Sequence, residues 1–390
     1  MSDWLRFWRA MSDILGMPPA RFLRDYWQKK PLLIRGALPD FVSPITANDL
    51  AGLACEEMAL SRLIMHAPKT DRWTLRNGPF AETDFATLPK SHWTLLVQDV
   101  DKWDANIAAL LDRFRFIPDW RIDDVMVSYA VDGGSVGAHV DQYDVFLLQA
   151  AGTRRWQIST ATDAPKQFRS DTELKLLTEF TATDEWLLEP GDMLYLPPGV
   201  PHHGVAEGEC LTYSIGLRAP SHAELFSDFA EFIAERLPEE QRYTDNDLNA
   251  ARFPGEIDLS ALQNVQKILA ALGNADEEQL RAWFGPFITR YRNAHAPAPR
   301  PRALTDAALR KRLQQGHRFQ RNPWTRLAYA KVGKAAQLYA SGDTQACSLA
   351  LARLLTATRE IEASVLLQLA QDELDTVRGM LNAGHFGISA

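Results

Sequence analysis

Along the 390 residues the spacing of apolar positions changes twice. Near the start, in MPPARFLRDYWQKKPLLIRGAL, Phe22, Leu23, Tyr26 and Trp27 recur at helical spacing. Lys29 and Lys30 sit near the predicted helix end, where cations suit the dipole. Pro31 stops the helix and LLIRG follows as a short strand. From about residue 90 to 217 the pattern shortens to apolar runs divided by turn signals: HWTLLVQDV, DDVMVSYAVDGGSVG, YDVFLLQAAG, RRWQIS, DEWLLEPGDMLYLPPGVPHHG and CLTYSIGLRAP. Many short strands with Gly/Pro corners predict an antiparallel barrel or jelly roll. After Pro220 the helical period returns in HAELFSDFAEFIAERL and in LSALQNVQKILAALG, which ends at Gly273 as a helix should. NAHAPAPRPRAL (293–304) reads as a linker or extended connection. Beyond it, TDAALRKRLQQG, DTQACSLALARLLTA, EASVLLQLA and DELDTVRGMLNAG predict short helices of a small separate domain, winged-helix in type. There is no internal repeat.

Composition narrows the class. With 46% hydrophobic and 24% charged residues the chain is globular and long enough for two or three domains with proper cores. Cys55, Cys210 and Cys347 lie far apart without a CxxC pair, against a disulfide framework or a thiolate zinc site. The start, MSDWLRFWRAMSDILG, lacks the basic-then-apolar build of a signal peptide, and no run approaches transmembrane length. The expectation is a cytoplasmic protein with no membrane partner. Charge is unevenly spread: residues 291–390 carry 14 Lys and Arg against 7 Asp and Glu, so with a net charge of −8 the other residues carry about −15. An acidic body with a basic tail suits a charged partner such as a ribonucleoprotein. The plainer reading is one small helical domain that happens to be basic, and nucleic-acid binding is not established by it.

The chemistry concentrates in GAHVDQYDVF. On a strand, His139 and Asp141 project to the same side, next to the apolar stretch Val145–Leu148. Buried ionisable groups need a partner or a metal. Two histidines and one carboxylate on a single face, with other positions open, is the ligand set of non-haem iron(II) oxygenases. About 60 residues on, EPGDMLYLPPGVPHHG offers a third ligand: Pro190-Gly191-Asp192 turns, Met193–Leu196 forms a strand, and Pro197-Pro198-Gly199 leads into His202 and His203. On a strand these two would face opposite ways, so one binds, and periodicity does not choose between them. The competing reading, a surface His–Asp pair with loop histidines, is the weaker one for this combination inside a β-rich stretch.

Together, FLRDYWQKKPLLIRGAL, GGSVGAHVDQYDVFLLQ, RRWQI, PGDMLYLPPGVPHHG and YSIGLRAP resemble the cupin-type JmjC ribosomal oxygenases, over nearly the whole chain. Within that group they are most similar to the bacterial ribosomal-protein arginine hydroxylases. The resemblance implies a mixed α+β fold: a double-stranded β-helix (cupin/JmjC jelly roll), a helical dimerisation region and a C-terminal winged-helix-like domain. The implied boundaries are 1–218, with the β-helix core at about 90–218, then 219–290 and 291–390. It also implies Fe(II), with 2-oxoglutarate and O2 as cosubstrates. His139, Asp141 and His202 become the metal ligands, His202 because the family uses the histidine directly after the PPG-x-Pro turn. No residue beyond the ligands is expected to act as a general acid or base.

The far carboxylate of 2-oxoglutarate needs a cation, and arginine's planar fork suits it best. Arg154 and Arg155 are the candidates, and the family's spacing from HVDQYDVF falls on Arg154. The family also uses a small hydroxyl residue on the preceding strand; Ala130 holds the aligned position, with Ser128 two residues earlier on the same face. Tyr143 either faces the cavity or packs. The implied substrate is an arginine β-carbon on a large-subunit ribosomal protein, and Asp132 is the carboxylate offered to its guanidinium. Asp132 equally fits a turn ahead of two glycines. The acidic body would speed encounter with a cationic substrate protein. The alternatives are histidine hydroxylation of a ribosomal protein, a small-molecule cupin metalloenzyme, and a non-catalytic peptide-binding cupin. The segment from about 221 to 285 is the expected interface of a homodimer.

Overall fold

Pro18 and Pro19 pre-set the start of α1 (Pro19–Asp25), where a fixed φ helps and a missing N–H costs nothing. In this computed structural model the described residues are 14–250, 252–292 and 294–389. Most of the opening segment read for a signal peptide lies outside them, as does Asn293 of the linker. Helix α1 stops earlier than the apolar spacing predicts: Tyr26 caps it, and Gln28 takes a left-handed φ of 55°. The chain then reaches β1 (Leu32–Ile34). Phe22 is fully buried and stands edge-on to Tyr195, 4.9 Å between ring centroids.

The chain divides into two units between Ala219 and Pro220. The first is built on a ten-stranded sheet. Its further strands are β2 (Ser61–Ala67), β3 (Arg72–Asn77), β4 (Trp93–Val97), β5 (Ile122–Ala130), β6 (His139–Val140), β7 (Val145–Ile158), β8 (Asp184–Leu188), β9 (Met193–Leu196) and β10 (Pro201–Leu217). Helices α2 (Ala47–Ala54), α3 (Glu82–Ala86) and α4 (Ala105–Leu110) intervene. The order is β1-β9-β7-β10-β5-β4-β2-β3, with β6 on β10 and β8 on β7, and all pairings are antiparallel.

Sequence reading separates YDVFLLQAAG from RRWQIS, and PHHG from CLTYSIGL. Each pair is one continuous strand, β7 and β10, whose mutual register breaks between Glu207 and Thr212. Alternation along β7 explains the layers. Phe146, Leu148 and Ala150 pack into a core with Phe22, Val125, Val127 and Tyr213, while Val145 and Leu147 pack with Trp156, Ile158, Leu188 and Leu194. The early and late halves of β7 therefore share the second cluster, which lies inside a rolled sheet. This is the double-stranded β-helix.

Asp144 fastens the roll beside the motif. It is fully buried, accepting from the Tyr195 hydroxyl at 2.6 Å, Gln28 Nε2 at 2.8 Å and Arg121 Nη2 at 3.4 Å. Burial, the largest influence, pushes its carboxyl above the ordinary range, and these three partners pull against that. The second aspartate of HVDQYD is thus structural.

The second unit holds α5 (His222–Ala234), α6 (Leu259–Leu272), α7 (Glu277–Arg290), α8 (Asp306–Gln314), α9 (Leu349–Ala357), α10 (Ala363–Leu366) and α11 (Gln371–Asn382). It also holds strands β11 (Arg318–Arg321), β12 (Leu327–Val332), β13 (Ala335–Ala340), β14 (Asp343–Ser348), β15 (Glu360–Ile361) and β16 (Phe386–Ser389). They pair as β15-β11-β16 and β12-β13-β14. The helix predicted over DTQACSLALARLLTA is corrected here: DTQACS is β14, and the helix begins at Leu349 with Ser348 as its cap. The helical stretch predicted after Pro220 is likewise interrupted, with no helix among the described residues of 235–258. Helix α7 packs on β13 so closely that a methyl group on Gly285 would lie 2.2 Å from the Tyr339 ring. No helix of the described residues is long and apolar enough to cross a membrane.

Candidate metal centre

His139 and His202 are cross-strand partners in the β6–β10 pairing, which brings their rings within 4.2 Å of each other. Strand β6 ends at Val140, so Asp141 follows the strand rather than lying within it. Its carbonyl accepts from Gly199 N at 2.8 Å, which ties the Pro-Pro-Gly turn to the motif. Asp141 Oδ2 lies 3.9 Å from His139 Nε2 and 3.6 Å from His202 Nε2. One ligand atom from each of the three falls within 4.8 Å of the others.

Each imidazole uses its other nitrogen in the same way. His139 Nδ1 donates to the Gly137 carbonyl and His202 Nδ1 to the Val200 carbonyl, both at 2.9 Å. A carbonyl can only accept, so Nδ1 carries the proton and Nε2 presents its lone pair to a metal. Burial, then the charge of His139, pushes His202 down to about 4, which keeps that ring neutral and ready to ligate. Gly137 cannot be another residue without cost. Its φ is +80°, and a Cβ there would lie 2.6 Å from Leu176 and 3.3 Å from Trp73.

His203 faces the other way, as alternation requires: it pairs with Gln157, and its ring stands edge-on to Phe180 at 6.1 Å. The two arginines of RRWQIS divide in the same manner. Arg155 is exposed on ion pairs to Glu185 (2.7 Å) and Glu207 (2.6 Å). Arg154 is 2% exposed; its Nη2 donates to Gly204 O at 3.2 Å, while Nε and Nη1 have no partner. Gly204 leaves the room this needs, since a Cβ there would meet Arg154 Nε at 2.7 Å and the Trp156 ring at 2.8 Å. A buried guanidinium with unused donors is costly unless an anion joins it. The structure thus offers two imidazoles oriented through Nδ1 and a carboxylate, a triad suited to a divalent metal, and a cation suited to a carboxylate.

Ser128 is buried on β5 and donates to Thr212 O at 3.4 Å. Tyr143 is 36% exposed; burial of the rest, then Asp141 and Asp124, pushes its phenol up. Asp132 is exposed, and its carboxylate accepts from Gly208 N at 2.9 Å, a contact to a residue 76 positions away. Sequence reading missed Asp124. It alternates with Met126 and Ser128 on β5, opposite the core face of Val125 and Val127. Burial, then Asp123, Asp99 and Asp101, pushes its carboxyl to about 8. The alternation of DDVMVS carries the only signal for it, and that signal does not say which face is the cavity.

Two family models match the chain: the JmjC domain over residues 109–225 and the ROXA-like winged helix over 269–384. The ribosomal protein uL16 3-hydroxylase of Escherichia coli (strain K12) is 37% identical over 322 residues, 83% of this chain and 84% of that protein. A probable ribosomal oxygenase of Haemophilus influenzae is 41% identical, covering 62% of this chain and 58% of that protein. Among solved structures, E. coli ribosomal oxygenase YcfD in complex with cobalt and 2-oxoglutarate superposes with a TM-score of 0.82 at 32% identity, covering 96% of this chain and 99% of that one. Extent and identity together settle the family: this chain belongs to the JmjC-domain ribosomal oxygenases.

Proposed function

We propose that the protein is an Fe(II)- and 2-oxoglutarate-dependent hydroxylase acting on an arginine β-carbon of a large-subunit ribosomal protein. The carrying observation is the convergence of His139 Nε2, Asp141 Oδ2 and His202 Nε2. The similarity to a uL16 3-hydroxylase over 83% of the chain supports the substrate class. Bound iron, with 2-oxoglutarate and O2, supplies oxidative power that no side chain has, yielding succinate and CO2 as one oxygen enters the substrate. The chain's own residues bind and orient. The triad holds the metal by one face, Arg154 receives the far carboxylate, and the carbonyls of Gly137 and Val200 fix both rings. Ser128 is the weaker candidate beside Arg154.

For the substrate, Asp124 is the carboxyl on the cavity face of β5, with Tyr143 under its influence. A guanidinium arriving there would draw Asp124 into its charged form. Asp132, exposed and accepting from Gly208 N, is the second carboxylate candidate for the guanidinium. The test is mass spectrometry of the candidate ribosomal protein after incubation with enzyme, Fe(II) and 2-oxoglutarate. The expected result is a gain of one oxygen that fragmentation places on an arginine. A gain placed on histidine would transfer the assignment to the histidine hydroxylases. Metal-dependent succinate without any gain would remove the substrate, and no succinate at all would remove the enzyme.

We assign 1–218 to the oxygenase domain, 219–290 to dimerisation and 291–390 to the basic winged-helix-like domain, in a cytoplasmic homodimer. Helix α6 has no buried residue, and its Leu259, Leu262 and Leu269 are more than half exposed. Phe226, 74% exposed, rims an apolar groove with Leu225, Phe229, Leu280 and Trp283. Exposed apolar surface of this kind marks an interface, and a second copy supplies the matching face. Light scattering should find a dimer at micromolar concentration, and a monomer for Leu262→Asp with Leu269→Asp. A wild-type monomer would sink the assignment.

A further inference from the structure

Among the described residues of the first unit, buried side-chain nitrogens and oxygens without a hydrogen-bond partner belong to three residues: Arg154, Trp156 and Thr94. Sequence reading gave Thr94 no role beyond its strand. Its hydroxyl is wholly buried, which costs stability unless something joins it.

The pairing brings Thr94 and Arg154 to one patch. Thr94 stands beside Ala130 in the β4–β5 register, and Ala130 beside Cys210 in the β5–β10 register. Arg154 stands beside Ala206, and its guanidinium feels the Cys210 thiol. Ala130, Ala206 and Cys210 form one buried patch of small side chains. Thr94 and Arg154 therefore border the same patch from different strands. From there the arginine lies 5.2 Å from the centroid of the Trp156 ring, and that ring lies 5.9 Å from the His202 ring. The line runs from the patch to the metal triad.

The unused groups are all able to donate: a guanidinium, an indole N–H and a hydroxyl. An anion bearing only acceptor oxygens is their complement. Two interior hydroxyls near this patch are engaged, Ser128 on Thr212 O and Thr212 on Gln149 Oε1 at 3.1 Å. We infer that Thr94 is the hydroxyl that, with Arg154, holds the far carboxylate of 2-oxoglutarate. This rests on the cosubstrate reading above and replaces Ser128 with a residue from β4.

The test is calorimetric titration of the manganese(II)-loaded, full-length protein without oxygen. Two ligands are compared: 2-oxoglutarate, and 2-oxovalerate, which has the same chain length but no far carboxylate. Thr94→Val keeps the shape and suits a strand. It should bind 2-oxoglutarate about 10-fold to 100-fold more weakly, as expected for losing a hydrogen bond to a charged group. Its affinity for 2-oxovalerate should stay at the wild-type level, and Thr94→Ser should restore most of the 2-oxoglutarate affinity. Equal binding of 2-oxoglutarate by Thr94→Val and wild type would overturn the inference. An equal loss for both keto acids would overturn it too, by exposing a packing fault instead of a carboxylate contact. Failure of the metal-loaded wild type to bind 2-oxoglutarate is a separate outcome that overturns the cosubstrate reading itself, and this inference with it.

Discussion

His139→Ala should abolish 2-oxoglutarate turnover and lower iron affinity more than about 100-fold, beyond the 10–100-fold typical of losing an outer-shell partner. His139 supplies one of three ligand atoms, and the remaining pair, Asp141 and His202, leaves the metal held through two contacts at one edge. The fold should survive. His139 sits on a two-residue strand with its side chain 23% exposed, and the surrounding core belongs to other residues. Its Nδ1 hydrogen bond to Gly137 disappears, which leaves a carbonyl that water can reach in place of the ring. The checks are metal content after dialysis, succinate release and a thermal melt on one preparation. A variant that keeps stoichiometric iron and wild-type succinate release would remove His139 from the triad.

Arg154→Met should separate stability from function, moving them in opposite directions. The guanidinium is 2% exposed with two unpartnered nitrogens, and burial lowers its pKa from the usual arginine value. A buried charge without full pairing is a burden on the ligand-free fold. Replacing such groups with packed apolar side chains is often stabilising by about 1–4 kcal/mol. Methionine has similar length and the flexibility to fill the space against Trp156, Ala206 and Cys210. A rise of about 2–16 °C in melting temperature follows for a unit of this size. Affinity for 2-oxoglutarate should fall more than about 100-fold, because an isolated carboxylate would then be buried against carbon. Arg154→Lys should fall between, keeping charge but losing the planar fork. Added 2-oxoglutarate should raise the melting temperature of the metal-loaded wild type and leave Arg154→Met unmoved. A destabilised Arg154→Met that binds 2-oxoglutarate normally would make the arginine structural and sink the assignment.

Some of the site is legible along the chain because its signals are local. His139 and Asp141 are two apart, and the Pro-Pro-Gly turn delivers a histidine regardless of the rest of the fold. Alternation also says that His202 and His203, or Arg154 and Arg155, must part company. Which member turns inward depends on which face the roll encloses, and that is a property of strands meeting. The misread helix over Asp343–Ser348 has the same origin: DTQACS lacks a strong period of its own, and pairing with β13 makes it a strand. Asp144, Asp124 and Thr94 show the limit more sharply. One is a structural acceptor, one a substrate candidate and one a cosubstrate candidate, yet each sits in an unremarkable strand or turn.

The sequence by itself determined the ligand types, the turn that presents the third ligand, the β-rich texture of the first unit and the helical texture after Pro220. These follow from side-chain chemistry and from the fixed periods of strand and helix, which act over a few residues. Only the tertiary structure decided that His139 faces His202, that Arg154 is enclosed with donors to spare, and that Thr94 borders the same small-residue patch. Those relations join residues some 36 to 116 positions apart through strand register, as from Thr94 to Ala130 and from Thr94 to Cys210. A one-residue slip in that register would reverse every face. Register is set by the packing of the whole roll, which no local window of sequence contains.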